Sequence, residues 1–146
     1  MDHSPAYIIV EYLIGEGLLS DPTVGGEWPV YVGLLPDDDD VVNDIVGCMD
    51  TPSLKDGRLM NTGENIFHKG VQLLLRAEVY NTGYEKAQAL ATALEGVSRE
   101  QKVIGSKTYQ IDNVSQTTGI VVLGQEEGSK RRELFSVNFL TTLKEV

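Results

Sequence analysis

Two stretches of the chain carry apolar residues at helical spacing. The first follows Ser4 and Pro5, a pair typical of a helix start because Ser caps the end and Pro suits the first turn. Its apolar positions include Tyr7, Val10, Ile14 and Leu18. Further apolar residues widen this stripe around most of the helix. We therefore expect the helix to be well buried or covered by a partner.

The second helix is predicted in the middle of the chain. Thr82 and Glu85 have the spacing of a capping box, in which each side chain bonds the other residue's backbone N–H. Leu90 and neighbouring apolar residues continue at helical spacing, and Gly96 is expected to end the helix. Its apolar face is predicted to pack on Val71, Leu73, Leu75 and Phe135.

Alternating or continuous apolar runs predict six strands. The clearest covers residues 70–80, with Gln72, Leu74 and Arg76 on the face turned away from the helix. The predicted strands span residues 28–35, 41–49, 70–80, 107–112, 119–123 and 134–143. Residues 50–70 are polar and rich in glycine, so we expect a long loop that is mobile in the free subunit and ordered in an assembly.

The resulting order is α-β-β-β-α-β-β-β. We expect one α+β domain over residues 1–146, in which two helices pack on one face of a mostly antiparallel sheet to give a two-layer arrangement. The last three strands are joined by short turns, which predicts an antiparallel meander.

The formal net charge is −10, which argues against non-specific nucleic-acid binding and against docking on an anionic membrane. An acidic chain still suits the lining of a channel that DNA passes through. Cys48 is the single cysteine, so no intrachain disulfide forms and a reducing compartment is expected. Glu11 and Glu16 interrupt the first apolar run, which favours neither a signal peptide nor a membrane span.

No catalytic, metal-binding or phosphate-binding motif stands out, so we predict no enzyme, no metal and no cofactor. His3 and His68 lack the spacing of metal ligands, and the four aspartates at 37–40 lack a calcium-loop pattern. The aspartates are best interpreted as a solvated loop. Cys48, in a predicted strand, is interpreted as a small buried residue.

Two basic features leave alternatives open. Residues 130–132 (Lys-Arg-Arg) form either a charged hairpin tip or a patch for an acidic partner. Arg76, in mid-strand, is either solvated on an open face or an anchor in an interface.

Residues 67–77 (FHKGVQLLLRA), followed by 84–87 (YEKA), resemble the tail terminator proteins of long-tailed bacteriophages. Residues 119–124 and 135–139 are similar to the closing hairpin of that family. The resemblance implies a homohexameric ring that caps the tail tube, ends its polymerisation and joins the tail to the head connector. It further implies a place in the virion at the head–tail junction, assembly in the host cytoplasm, and passage of DNA without sequence-specific binding.

The expected partners are the chain itself, the major tail-tube protein and the head-closure or connector protein. Another head–tail neck protein, or a small α+β ligand-binding or regulatory domain, is the alternative. The candidate protein-interface residues are Asp37, Asp38, Asp39, Asp40, Arg58, Phe67, Arg76, Lys130, Arg131 and Arg132.

Overall fold

The computed structural model describes residues 2–36, 42–58, 60–61, 63, 65–127 and 131–146. Within them the chain forms two helices and seven strands. The helices are α1 (Pro5–Gly15) and α2 (Tyr80–Glu95). The strands are β1 (Val30–Val32), β2 (Ile45–Arg58), β3 (Asn65–Ala77), β4 (Ser98–Ile104), β5 (Lys107–Gln116), β6 (Val121–Gln125) and β7 (Glu133–Glu145).

Helix α1 begins as predicted. Ser4 Oγ accepts a hydrogen bond of 3.2 Å from the Tyr7 N–H, and Pro5 occupies the first turn. A carboxylate from the sheet contributes as well, because Asp50 Oδ1 of β2 accepts from the Ala6 N–H at 2.9 Å. Both bonds satisfy backbone donors that a helix start leaves without intrahelical partners. The bond from Ala6 to Asp50 also ties the start of α1 to β2.

The sheet has the strand order β1-β2-β3-β7-β5-β4. The β1–β2 pair is parallel and the others are antiparallel. Strand β6 pairs with the first residues of β7. Strand β5 pairs with later residues along the same edge of β7. Helix α1 contacts β1, β2 and β3 near one end of this order and β4 at the other end. The sheet therefore curls around α1.

One hydrophobic cluster fills the curl. It combines the buried side of α1, the inward positions of the strands and the buried side of α2. Leu90 of α2 lies in this cluster with Val71, Leu73, Leu75 and Phe135, as predicted. The wide apolar stripe of α1 is explained by burial, since Ala6, Ile8, Ile9, Val10 and Leu13 are all buried.

Helix α2 approaches the sheet closely at Gly83. A Cβ atom there would come within 2.5 Å of the Phe135 ring and 2.8 Å of the Ala77 Cβ. The predicted capping box is wrong, because α2 begins two residues before Thr82 and its N-cap, Val79, makes no side-chain bond. Gly96 ends the helix as predicted.

The α+β class, the two helices and the mostly antiparallel sheet are confirmed. The order of elements is wrong by one strand, β4, whose mostly exposed and partly charged sequence SREQKVI hides the usual strand pattern. The meander is also wrong, since β5 and β6 both pair with β7. The two-layer arrangement stays a prediction, because the curl brings both ends of the sheet to α1.

The long loop predicted over residues 50–70 is wrong as well. Strand β2 continues to Arg58 and β3 starts at Asn65, so most of this stretch is a β-hairpin. Its polar residues and glycines misled the prediction because an exposed two-stranded ribbon lacks a buried face and therefore shows no apolar alternation.

We predict that Leu90→Ala lowers the free energy of unfolding by about 2–5 kcal/mol, the usual cost of truncating a buried leucine. Denaturant melts measure this loss. Thr92→Ala, on the exposed side of the same helix, is the control and is expected to change stability little. A loss below about 1 kcal/mol for the leucine variant would contradict the packing described.

Candidate functional site

Arg76 lies on the sheet face turned away from the helices, as predicted, but it is buried, with 2 % of its surface exposed. Its guanidinium donates to three backbone carbonyls: Nη1 to Pro36 at 2.9 Å, Nη2 to Val42 at 3.2 Å and Nε to Asn43 at 3.4 Å. Interpreting Arg76 as a solvated strand residue is therefore wrong. Pro36, Val42 and Asn43, which precede β2, therefore lie against Arg76 on this face.

Arg76 thus joins the two ends of the acidic segment. Pro36 immediately precedes the run Asp37, Asp38, Asp39 and Asp40, and Val42 follows shortly after it. The four aspartates lie outside the described residues. The planar guanidinium, with its fork of donors, suits this bridging role better than a lysine ammonium would.

Of the basic residues at 130–132, the two that the structure describes have different surroundings. Lys130 lies outside the described residues. Arg131 is exposed and has a positive φ of 46°. Arg132 is 5 % exposed and forms an ion pair through Nε with Glu126, whose backbone N–H donates to the Arg132 carbonyl at 2.8 Å. Arg132 therefore helps to close the β6–β7 hairpin.

The β2–β3 hairpin extends past the rest of the sheet. Among the described residues, β3 pairs with β7 from Lys69 to Ala77, whereas its pairing with β2 continues to Asn65. We call residues 52–58 and 65–68 the arm. Leu54 and Phe67 on the arm are 55 % and 39 % exposed. The side chain of Arg58 lies outside the described part of the arm.

One face of the arm places an aromatic ring between two lysines. Lys55 lies directly across from Phe67 in the strand register. The Lys69 ammonium lies 4.8 Å from the centre of the Phe67 ring, a cation–π contact. We call Lys55, Phe67 and Lys69 the arm patch. Phe67 and Lys69 also line an open groove of about 570 Å³ beside the start of α1.

A second groove, of about 560 Å³, lies at the opposite end of the β2–β3 hairpin. It carries three carboxylates, from Glu27, Asp44 and Glu78, together with the half-buried Trp28 and the exposed Val42. We call it the acidic groove. Asp44 Oδ1 is already occupied in part, since it accepts from the Glu78 N–H at 3.0 Å.

The ammonium of Lys86 also lies near the acidic groove. Lys86 Nζ is 5.8 Å from the centre of the Trp28 ring and donates to the Leu18 carbonyl. Burial lowers the pKa of Lys86, and the charge of Glu27 acts in the opposite direction. Because the Lys86 ammonium is directed to the Leu18 carbonyl, the charge that the groove presents at its surface comes from the three carboxylates.

Strand β6 exposes an apolar edge. Val121, Val122 and Leu123 are 40 %, 43 % and 51 % exposed. The edge strand β4 differs, because most of its exposed residues are charged or polar, the usual protection against unwanted strand pairing.

The histidines and the cysteine, which could take part in chemistry, are hydrogen-bonded to other groups of the protein. His3 Nδ1 hydrogen-bonds with the Tyr109 hydroxyl at 2.7 Å, and His68 Nδ1 with the Thr142 hydroxyl at 3.0 Å. Cys48 is buried against α1, where its thiol donates to the Ala6 carbonyl at 3.6 Å. Burial, with a smaller contribution from Asp50, raises the pKa of the Cys48 thiol.

Within the described ranges, no group of three or more His, Cys, Asp or Glu side chains is placed to hold a metal ion. No helix of that part of the chain is long and apolar enough to cross a membrane.

These features define a small α+β protein whose distinctive elements are surfaces: an extended hairpin, an acidic groove and an apolar strand edge. A family model described as bacteriophage tail terminator protein matches residues 12–145, nearly the whole chain. The chain therefore belongs to the bacteriophage tail terminator family, which makes it a structural protein of the phage tail, and the resemblance found in the sequence is confirmed. No curated protein matches the chain.

Several surface residues escaped the sequence analysis. Glu27, Asp44 and Glu78 are far apart in sequence and meet only because the β2–β3 hairpin ends beside the start of α2. Lys55 and Lys69 fall in the stretch that the sequence predicted as a loop, so their place beside Phe67 was not visible before the structure. Of the predicted interface residues whose side chains the structure describes, Phe67 alone lies in the arm patch or the acidic groove.

We predict that Arg76→Lys lowers the free energy of unfolding by about 2 kcal/mol, because one ammonium cannot replace three charge-assisted hydrogen bonds to separate carbonyls. Urea melts measure the loss, and limited proteolysis is expected to cut faster between residues 36 and 43. Arg131→Lys, at an exposed position, is the matched control. Unchanged stability and cleavage in the Arg76 variant would refute the bridging role.

We predict that Cys48 resists alkylation in the folded chain, because a buried, protonated thiol is a poor nucleophile. Iodoacetamide labelling followed by mass spectrometry is expected to be slow at neutral pH and fast in denaturant. Ser115→Cys, which adds a thiol at an exposed position, should gain one rapidly labelled group. Fast labelling of native wild-type protein would show that the Cys48 site is open.

Proposed function

We propose that the chain forms a closed ring of six identical subunits that caps the finished tail tube, stops tube growth and joins the tail to the head connector. The observation that carries this proposal is the tail terminator match over residues 12–145. The number six comes from the family resemblance in the sequence. The major tail-tube protein and the head-closure or connector protein are the proposed partners.

The charge of the chain supports a ring that DNA crosses. A net charge of −10 per subunit, repeated around a ring, creates a negative potential that repels phosphates. We propose that acidic or neutral groups line the lumen, so that DNA slides through without adhering. The proposed location is the head–tail junction of the virion, after assembly in the host cytoplasm.

Termination also requires two unlike faces on the ring. One face binds the last layer of tube subunits, and the other must not template a further layer. We propose that the free chain closes into rings mainly on the tube end, since closure in solution would remove subunits before a tube exists.

We predict that the purified chain caps growing tubes. The chain is added to polymerising tail-tube subunits from the same phage, and the products are viewed by electron microscopy. Tubes are expected to carry a ring at one end and to stop lengthening there, whereas tubes without the chain continue to grow.

Tubes that lengthen unchanged, with no ring at either tip, would overturn the terminator role. Binding of the chain to purified head connector in that case would identify another head–tail neck protein. Binding to neither would favour a small ligand-binding or regulatory domain.

A further inference from the structure

The arm extends beyond the main pairing of the sheet and is tied to the body at its base, where His68 Nδ1 hydrogen-bonds with the Thr142 hydroxyl. Beyond Lys69 its two strands pair with each other, while β7 pairs with β5 along its later residues. A two-stranded ribbon alone is marginally stable in water, and this one exposes Leu54 and Phe67. Such a ribbon gains stability when another surface covers its apolar side chains.

We infer that the arm patch of one subunit docks into the acidic groove of a second copy of the same chain. This inference rests on the ring proposed above and names the contact between its neighbouring subunits. In the docked pair the Phe67 ring lies against Trp28 and Val42, and the ammonium groups of Lys55 and Lys69 face Glu27 and Glu78.

Charge complementarity supports a second copy as the partner. Two subunits of net charge −10 repel each other unless basic groups on one face acidic groups on the other. The arm patch presents two ammonium groups around one ring, and the acidic groove presents three carboxylates around another. Each chain therefore carries both halves of one complementary contact.

The two patches cannot meet within one subunit. Phe67 and Ala77 belong to the same strand, so the arm patch and the acidic groove are separated by roughly 33 Å along β3. A contact between two different patches at opposite ends of a molecule is head-to-tail, and such a contact closes into a ring when its rotation fits. The geometry is that of a repeating ring contact.

The experiment uses charge reversal in the full-length chain. Lys55→Glu reverses the arm patch, and Glu78→Lys reverses the groove; both side chains are exposed, so folding should be preserved. Self-association is measured by sedimentation velocity at low salt, up to the highest soluble concentration. Each variant alone is expected to associate at least about tenfold more weakly than wild type.

Mixing provides the decisive comparison. In an alternating assembly of the two variants, every contact pairs opposite charges again, so the equimolar mixture should recover wild-type association. The double variant Lys55→Glu/Glu78→Lys should recover it as well, at unchanged net charge. Glu95→Lys, on the exposed side of α2, controls for net charge and should not weaken association.

Two results would overturn the inference. The first is rings of both single variants forming on tube ends as readily as wild-type rings. The second is association that both single variants retain, or that mixing fails to restore. Loss of association in Val122→Lys alone would place the contact at β6. Rings seen on tube ends in any of these cases would leave the proposed function standing, so the two failures are distinguishable.

Discussion

The fold depends on the burial of α1 inside the curl of the sheet. Helix α1 is apolar on most sides, and a helix of this kind is stable only when several surfaces cover it. Strands from both ends of the sheet supply that cover, while Asp50 and Cys48 of β2 hydrogen-bond to the backbone of Ala6. Removing this packing would leave both the sheet curvature and the core without their central element.

The face of the sheet away from the helices is organised by a different interaction. A buried guanidinium requires several acceptors, and the structure supplies them from the backbone that precedes β2. Through these bonds Arg76 ties Pro36, Val42 and Asn43, which flank the four aspartates, to β3. The end of the β2–β3 hairpin that holds Arg76 also carries the acidic groove, so a structural arginine and a surface of negative charge are neighbours.

The long β2–β3 hairpin connects the two halves of the proposed contact. Its arm presents basic and apolar groups, and its other end lies beside three carboxylates. Because both patches lie on one strand pair, the length of the strands sets the distance between them, which is what a repeating assembly requires. Membership of the tail terminator family gives such an assembly a biological context.

The sequence alone determined the α+β class, the start of α1, the buried face of α2 and the family, because these depend on local periodicity and turn residues. It could not reveal that residues 50–70 form an arm, since exposed strands lack an apolar alternation, nor that β4 exists, for the same reason. Only the tertiary structure decided the role of Arg76 and the grouping of Glu27, Asp44 and Glu78. Those features join residues distant along the chain, and no local pattern records which distant residues a curled sheet brings together.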